Sequence, residues 1–150
     1  MSTAIQAMPR LPLAYQYRHR VSFEDTNLVG NVYFVRFLSW QGRCRELFLL
    51  EKAPGILADL EGTLRLVTLN VGCDYFAELR ALDEVELNMS LKEQRQHRIR
   101  LEFEYFVRRD AARILAARGT QEVACMRQTA SGLVPTPVPA ELASALQPFR

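Results

Sequence analysis

An asparagine and several backbone N–H groups stand where a strand-like run gives way to a helix-like run. The joining segment, FEDTNLVGNVYF at residues 23–34, contains Asn27 and Gly30. An asparagine amide can hydrogen-bond a carbonyl oxygen or fix a water, although it cannot remove a proton at neutral pH. The free N–H groups at a helix start can hold a developing negative charge, and Gly30 has no side chain to block close approach. The backbone donors of such an oxyanion site would be Gly30, Asn31, Val32 and Tyr33. The alternative is an ordinary turn, in which Asn27 serves only turn geometry or capping.

A second candidate is an arginine inside the helix-like run. At helical spacing the run from Val35 to Leu50 is half-buried, and the residues that share its largely apolar arc are Leu38, Phe34, Gln41, Phe48, Phe37 and Cys44. Arg45 falls within this arc, whereas Arg36 and Arg43 fall outside it. A guanidinium drawn toward a core or an interface needs partners. Two interpretations stay open, a catalytic charge and an internal salt bridge. The acidic residues considered for such a bridge are Glu24, Asp25 and Asp74.

Other catalytic patterns have little support in the sequence. The two histidines, His19 and His97, lie in a predicted strand and a predicted turn, and no Ser or Cys stands in a nucleophile-elbow pattern. No glycine-rich phosphate loop and no metal-ligand cluster is present, so neither a cofactor nor a metal is predicted. Cys44, Cys73 and Cys125 are odd in number and widely spaced, which indicates reduced packing residues.

Composition limits the class of protein. At 150 residues and 49% hydrophobic, the chain suits one domain over residues 1–150. Its net charge of +2 arises from 19 basic and 17 acidic residues spread along the chain, which does not favour a nucleic-acid binder. No run reaches the length of a membrane span, and the N-terminus lacks the order of a signal peptide, so a cytoplasmic location is expected.

The periodicity predicts one strand, one long helix and then further antiparallel strands. The predicted strands run from Tyr15 to Phe23, Leu64 to Phe76, Val85 to Leu91, Ile99 to Val107 and Ile114 to Gln128, with a phase slip near Thr68 and an interruption at Gly119. A single long helix with a whole sheet to pack on indicates an α+β domain whose exposed edges favour a partner subunit. Residues 1–13 read as an N-terminal arm, and residues 131–150 as a Pro-rich tail with a short amphipathic helix from Ala140 to Leu146.

Two stretches carry a family resemblance. RHRVSFEDTNLVGNVYFVRFLSWQGRCRELFLL (residues 18–50) and VTLNVGCDYFAELRALDEVEL (residues 67–87) resemble the hotdog-fold thioesterases of the 4-hydroxybenzoyl-coenzyme A thioesterase type. Within them the sequence is most similar to the thioesterases of enediyne polyketide pathways, over residues 15 to 130. The resemblance implies a five-stranded antiparallel sheet wrapped around one long helix. It also implies dimers with paired sheets, active sites at the dimer interface, and tetramers of two dimers.

The resemblance assigns the site residues. The family carries an acid in the turn, in a string like D-T-D-x-x-G, but the corresponding residue here is Asn27, and Asp25 matches only the first acid. Arg45 matches the helix arginine that is thought to contribute to the enediyne site, and Phe37 stands where many relatives have a tyrosine. The implied mechanism therefore lacks the usual carboxylate. Asn27 would orient the thioester or a water, and Arg45 would stabilise charge or hold the β-keto group.

The resemblance also implies a substrate. In the enediyne branch it is a polyene β-keto acyl chain on the acyl carrier domain of an iterative polyketide synthase, and the released acid decarboxylates to a conjugated polyene. A channel for such a chain would use aromatic residues such as Tyr33, Phe34 and Phe37, although a plain core would use them too. Two alternatives stay open, a general acyl-coenzyme A thioesterase and a non-catalytic acyl-binding protein.

Overall fold

The computed structural model describes residues 13–150, so the predicted N-terminal arm lies outside the described residues except for Leu13. Within this range the elements are β1 (Tyr15–Arg20), α1 (Val35–Lys52), α2 (Pro54–Glu61), β2 (Leu64–Tyr75), β3 (Glu84–Arg95), β4 (Arg98–Arg109), β5 (Ala112–Thr129), β6 (Gly132–Pro135) and α3 (Ala140–Leu146). Short 3₁₀ turns occupy Phe23–Asp25 and Gln147–Phe149. The α+β class is confirmed. No helix of residues 13–150 is long and apolar enough to cross a bilayer.

The strands form one antiparallel sheet with the order β1-β3-β4-β5-β2, and β6 adds to β5. The prediction of five strands was therefore one short, because β6 lies in the segment expected to be irregular. β2 pairs with β5 along its length, with a register shift between Thr68 and Asn70 at the predicted phase slip. Its other edge is unpaired among the described residues.

Helix α1 packs on the inner face of this sheet. Its buried residues are Phe37, Trp40, Gln41, Cys44, Phe48 and Leu49. The predicted arc placed Phe34 inside, but Phe34 precedes the helix and is 57% exposed. The buried stripe is rotated toward β1, because Trp40 packs between Phe37 and His19 with ring centroids 5.2 Å and 4.7 Å away.

Several strand boundaries differ from the periodicity. β3 continues to Arg95 and β4 begins at Arg98, although a turn over residues 92–97 was expected. Pairing continues into this segment because a bulge lies between Leu91 and Glu93. Gly119 does not interrupt β5. It is buried in mid-strand, where its missing side chain leaves room for a helix residue.

The C-terminal segment belongs to the core. Helix α3 has the predicted bounds, and its Leu142 and Leu146 are buried. Phe149 follows and packs edge-on against Tyr15 and Phe48, at 6.0 Å and 5.9 Å between ring centroids. The tail therefore covers the core beside the start of β1.

Candidate active site

Asn27 lies at the tip of a tight turn that the chain makes before α1. A bridge between Thr26 and Val32 closes the turn, and Gly30 adopts a φ of +92°, which favours glycine. The Asn27 Oδ1 accepts a hydrogen bond from the Val29 N–H at 3.1 Å. Its amide NH₂ has no acceptor among residues 13–150, and the residue is exposed. The side chain therefore serves turn geometry through its oxygen while its amide stays free to donate.

Most of the predicted backbone donors are already used. The bonds run from the N–H of Gly30 to the carbonyl of Asn27 (3.1 Å), from Val32 to Leu79 (2.8 Å) and from Tyr33 to Asp25 (2.9 Å). Of the four predicted groups, only the Asn31 N–H lacks a backbone acceptor in the described part of the chain. Of the predicted donors, the Asn27 amide and the Asn31 N–H are thus the two that remain free to bind an oxyanion.

Asp25 is held by its neighbours. Its Oδ2 accepts from His19 Nε2 at 2.9 Å and from the Ser22 N–H at 3.0 Å, and Arg36 Nε lies 3.8 Å from its Oδ1. Burial alone would raise the pKa of Asp25, but these hydrogen bonds from His19 and Ser22 hold it below its ordinary value. A buried carboxylate that already accepts two hydrogen bonds and has a lowered pKa is a poor general base.

Arg45 makes no ion pair within residues 13–150. Its Nη1 donates to Thr68 Oγ1 at 3.0 Å and to Gln121 Oε1 at 3.1 Å. The internal salt bridge, one of the two interpretations of Arg45, is therefore wrong. Of its candidate partners, Asp25 is bound by other groups. Burial lowers the pKa of Arg45, and the neighbouring Glu46 opposes this shift. An arginine stays protonated in proteins, so this half-buried guanidinium keeps a charge that no carboxylate cancels.

Within one chain, Asn27 and Arg45 lie at different places along the sheet. The turn is bridged to Arg80, and the start of α1 is tied to the end of β2 by a hydrogen bond from the Tyr75 hydroxyl to the Phe34 carbonyl at 2.8 Å. Arg45 lies about 15 Å further along α1. Its partner Thr68 is about 20 Å from Tyr75 along β2. The structure does not bring the two predicted catalytic side chains together in one subunit.

An aromatic cleft of 330 Å³ lies beside the turn, between the start of α1 and the end of β2. Its lining consists of Asn31, Val32, Phe34, Phe37, Tyr75, Phe76, Ala77, Glu78 and Leu79. Phe34 and Phe37 both line it, and their part in a substrate channel stays a prediction. Tyr33 lies outside the lining, half-exposed, with its ring centroid 4.9 Å from that of Phe34. Larger clefts of 660 Å³ and 830 Å³ contain no predicted site residue and are lined mostly by charged and polar side chains.

Exposed apolar residues also lie on β2, whose outer edge is unpaired, and on the turn before α1. We define this β2 edge surface by Leu28, Val29, Phe34, Leu69, Val71, Tyr75 and Phe76, all of them exposed. Leu28 and Val29, at the tip of the turn, are 103% and 83% exposed. Exposed apolar side chains on a strand with an open edge are typical of a subunit interface.

The cysteines contribute no nucleophile. Cys44 and Cys125 are buried and Cys73 is half-buried, and all three are free thiols. Burial raises the pKa of Cys44 to about 12 and those of Cys73 and Cys125 to about 11. They remain protonated packing residues, as predicted.

Sequence reasoning missed the polar groups that surround Arg45. Gln41 and Gln121 are buried and hydrogen-bonded to each other, and Gln121 contacts Arg45. A signal was present, because Gln41 is a polar residue in an apolar helix arc. Gly119 inside a predicted strand was the second signal, since such a glycine often marks a close approach.

Comparison with known proteins gives the family. The sequence profile of the thioesterase-like superfamily matches residues 21–146. The chain belongs to this superfamily. It is 48% identical to the dynemicin thioesterase, whose crystal structures address induced fit and allosteric effects upon polyene binding; the match covers 91% of this chain and 96% of that one, with a TM-score of 0.88. A search of curated protein sequences found no significant match.

More distant thioesterases share the fold. A 1,4-dihydroxy-2-naphthoyl-CoA thioesterase from Synechocystis is 23% identical, with a TM-score of 0.75 over 89% of this chain and 96% of that one. The 4-hydroxybenzoyl-CoA thioesterase from Pseudomonas sp. strain CBS-3 is 14% identical, with a TM-score of 0.74 over 89% of this chain and 99% of that one. The predicted hotdog fold, the place of this thioesterase in the enediyne branch and its activity as a thioester hydrolase are confirmed.

Proposed function

We propose that this thioesterase releases a polyene β-keto acyl chain from the acyl carrier domain of an iterative enediyne polyketide synthase. The released β-keto acid then loses carbon dioxide and leaves a methyl ketone conjugated with the polyene. One observation carries the substrate class: the chain is 48% identical to the dynemicin thioesterase, whose crystal structures concern polyene binding. The aromatic cleft beside Asn27 supports the same choice, since a flat apolar chain buries well against ring faces.

The proposed chemistry uses water as the nucleophile. The carbon–oxygen bond forms at the thioester carbonyl, the carbon–sulfur bond breaks, and the products are a carboxylic acid and the pantetheine thiol. Asn27 donates its free amide to the carbonyl oxygen or holds the water, and Arg45 stabilises the negative charge that develops. Asp25 takes no part as a base, because His19 and Ser22 already occupy its oxygen. Removing one such donor costs about 3 to 4 kcal/mol of barrier.

We propose further that the site is completed by a second copy of the chain. If two β2 strands pair antiparallel about a two-fold axis at Val71, Thr68 of one chain lies opposite Asp74 of the other, next to Tyr75. Arg45 of one subunit then lies near the Asn27 turn of its partner. The β2 edge surface supports this arrangement, since pairing would cover its exposed apolar side chains. Assembly into a tetramer and a cytoplasmic location stay predictions.

Product release by a co-expressed polyketide synthase tests the reaction. Replacing Asn27 or Arg45 with Ala is expected to cut polyene release, read by absorbance and mass, by about a hundredfold or more. Arg43→Ala is the matched control for Arg45→Ala, since Arg43 is exposed on the same helix. Full release by both site variants would reject these assignments.

Two further measurements separate the alternatives. The hydrolysis rate should keep rising with hydroxide concentration, whereas a plateau with a midpoint near pH 4 to 5 would indicate a carboxylate base. Faster hydrolysis of short coenzyme A thioesters than of carrier-bound chains would favour a general acyl-coenzyme A thioesterase. Tight binding of an acyl thioester without turnover would favour an acyl-binding protein.

A further inference from the structure

We infer that Gln121 and Gln41 are positioning residues that aim the Arg45 guanidinium at the reacting thioester without cancelling its charge. The inference rests on the proposed function, in which Arg45 stabilises the developing negative charge. Neither glutamine is assigned to contact the substrate, because the two side chains are 4% and 0% exposed.

The hydrogen bonds form a single series from the backbone of β2 to Arg45. Gln41 Nε2 donates to the Gly72 carbonyl at 3.2 Å, and Gln121 Nε2 donates to Gln41 Oε1 at 3.2 Å. Arg45 Nη1 donates to Gln121 Oε1 at 3.1 Å. The series thus links α1 to both β2 and β5.

The two ends of this series, the Gly72 carbonyl and the Arg45 guanidinium, fix the direction of every hydrogen bond in it. A backbone carbonyl only accepts and a guanidinium only donates, so each glutamine must point its NH₂ toward Gly72 and its oxygen toward Arg45. No other orientation of the amides pairs both ends. Arg45 therefore always meets an oxygen at Gln121, which holds one of its nitrogens in place.

The two glutamine amides occupy core positions at which apolar side chains would pack better. Buried amides are costly unless they are paired, so a site selected only for packing would carry Leu or Met at positions 41 and 121. A Cβ on Gly119 would lie 2.0 Å from Gln41 Nε2 and 3.2 Å from the Gly72 carbonyl oxygen. β5 therefore has a glycine in mid-strand, where glycine weakens pairing. This arrangement serves the orientation of Gln41.

Neutral acceptors distinguish Arg45 from two other half-buried arginines, Arg109 and Arg127. Arg109 is paired with Asp83 at 2.9 Å and Arg127 with Asp59 at 2.7 Å, so a carboxylate balances each charge. Arg45 receives a hydroxyl and an amide oxygen instead. Its orientation is restrained while its positive charge remains available to a substrate anion.

A double-mutant cycle tests the inference on the intact protein. The assay is hydrolysis of β-ketolauroyl pantetheine, followed through the released thiol. Gln121→Met keeps the side-chain volume but removes the acceptor, and we expect kcat to fall about tenfold with KM nearly unchanged, equivalent to about 1.4 kcal/mol. In the Arg45→Ala background the same substitution should change nothing further. Equal losses in both backgrounds, or no loss in the wild-type background, would overturn the inference.

A second variant and a control complete the test. Gln121→Glu still accepts from Arg45 but cancels its charge, so kcat should fall at least as far as in Gln121→Met; wild-type turnover would overturn the inference. If Gln121→Met does not fold, Gln41→Met tests the same series of hydrogen bonds. We expect a smaller fall in kcat, and an unchanged kcat would contradict the inference. Gln128→Met, on the exposed end of β5, should leave kcat unchanged. If Arg45→Ala itself keeps full activity, the role proposed for Arg45 fails and this inference fails with it; if only the glutamine variants keep full activity, this inference alone fails.

Discussion

Two inactive variants of this thioesterase should restore each other when they are mixed. The perturbation is co-expression of Asn27→Ala and Arg45→Ala chains that carry different affinity tags, followed by purification of dimers that contain both. In such a dimer, one site would combine Asn27 and Arg45 from different chains and would be intact. The other site would carry both substitutions.

The expected magnitude follows from the separation of the two residues. Arg45 is about 15 Å along α1 from the helix start. Thr68, which accepts a hydrogen bond from Arg45, is about 20 Å along β2 from Tyr75. The Tyr75 hydroxyl donates to the Phe34 carbonyl at the helix start. A catalytic group must lie within about 3 Å of the atom on which it acts. One chain therefore cannot supply both groups to one thioester, and each purified mixed dimer should recover about half of the wild-type activity.

The assay is thiol release from β-ketolauroyl pantetheine, measured for the mixed dimer and for each parent. Unpurified mixtures of equal amounts should recover about a quarter of wild-type activity, because random pairing makes half of the dimers mixed. The matched control pairs the Asn27→Ala chain with a chain carrying both substitutions, which leaves no intact site. A mixed dimer no more active than its parents would refute the shared site and place both groups in one chain.

Three further predictions concern stability. Tyr105→Phe should lower the free energy of unfolding in urea by about 1 to 2 kcal/mol, because the buried hydroxyl donates to the Phe37 carbonyl at 2.7 Å. Phe149→Ala should cost about 3 to 4 kcal/mol in the same assay, and a cost under 1 kcal/mol would contradict its place in the core. The lowered pKa of Asp25 stabilises the fold above its unfolded value near 4, and this stability is lost as the pH falls through the folded pKa. Asp25→Asn, which leaves His19 facing an amide, should therefore unfold with a weaker acid dependence below pH 4 in acid titrations.

The sequence by itself determined the features that depend on neighbouring residues. The helical spacing from Val35 and the alternation along β3 and β4 predicted elements that the structure contains, because each pattern reflects one buried face. The phase slip near Thr68 marked a real register shift. The turn motif around Asn27 indicated the thioesterase family, since the residue types and spacing of the turn are visible without any structure.

Only the tertiary structure decided which groups the site residues meet. Arg45 and Gln121 are 76 positions apart in the sequence, so no local pattern could show that Arg45 meets a neutral acceptor instead of a carboxylate. The engagement of Asp25 by His19 and the distance between Asn27 and Arg45 along the sheet were equally hidden. Strand pairing and helix placement set these contacts, and the free energy that chooses them comes from burial of the whole core rather than from any one segment.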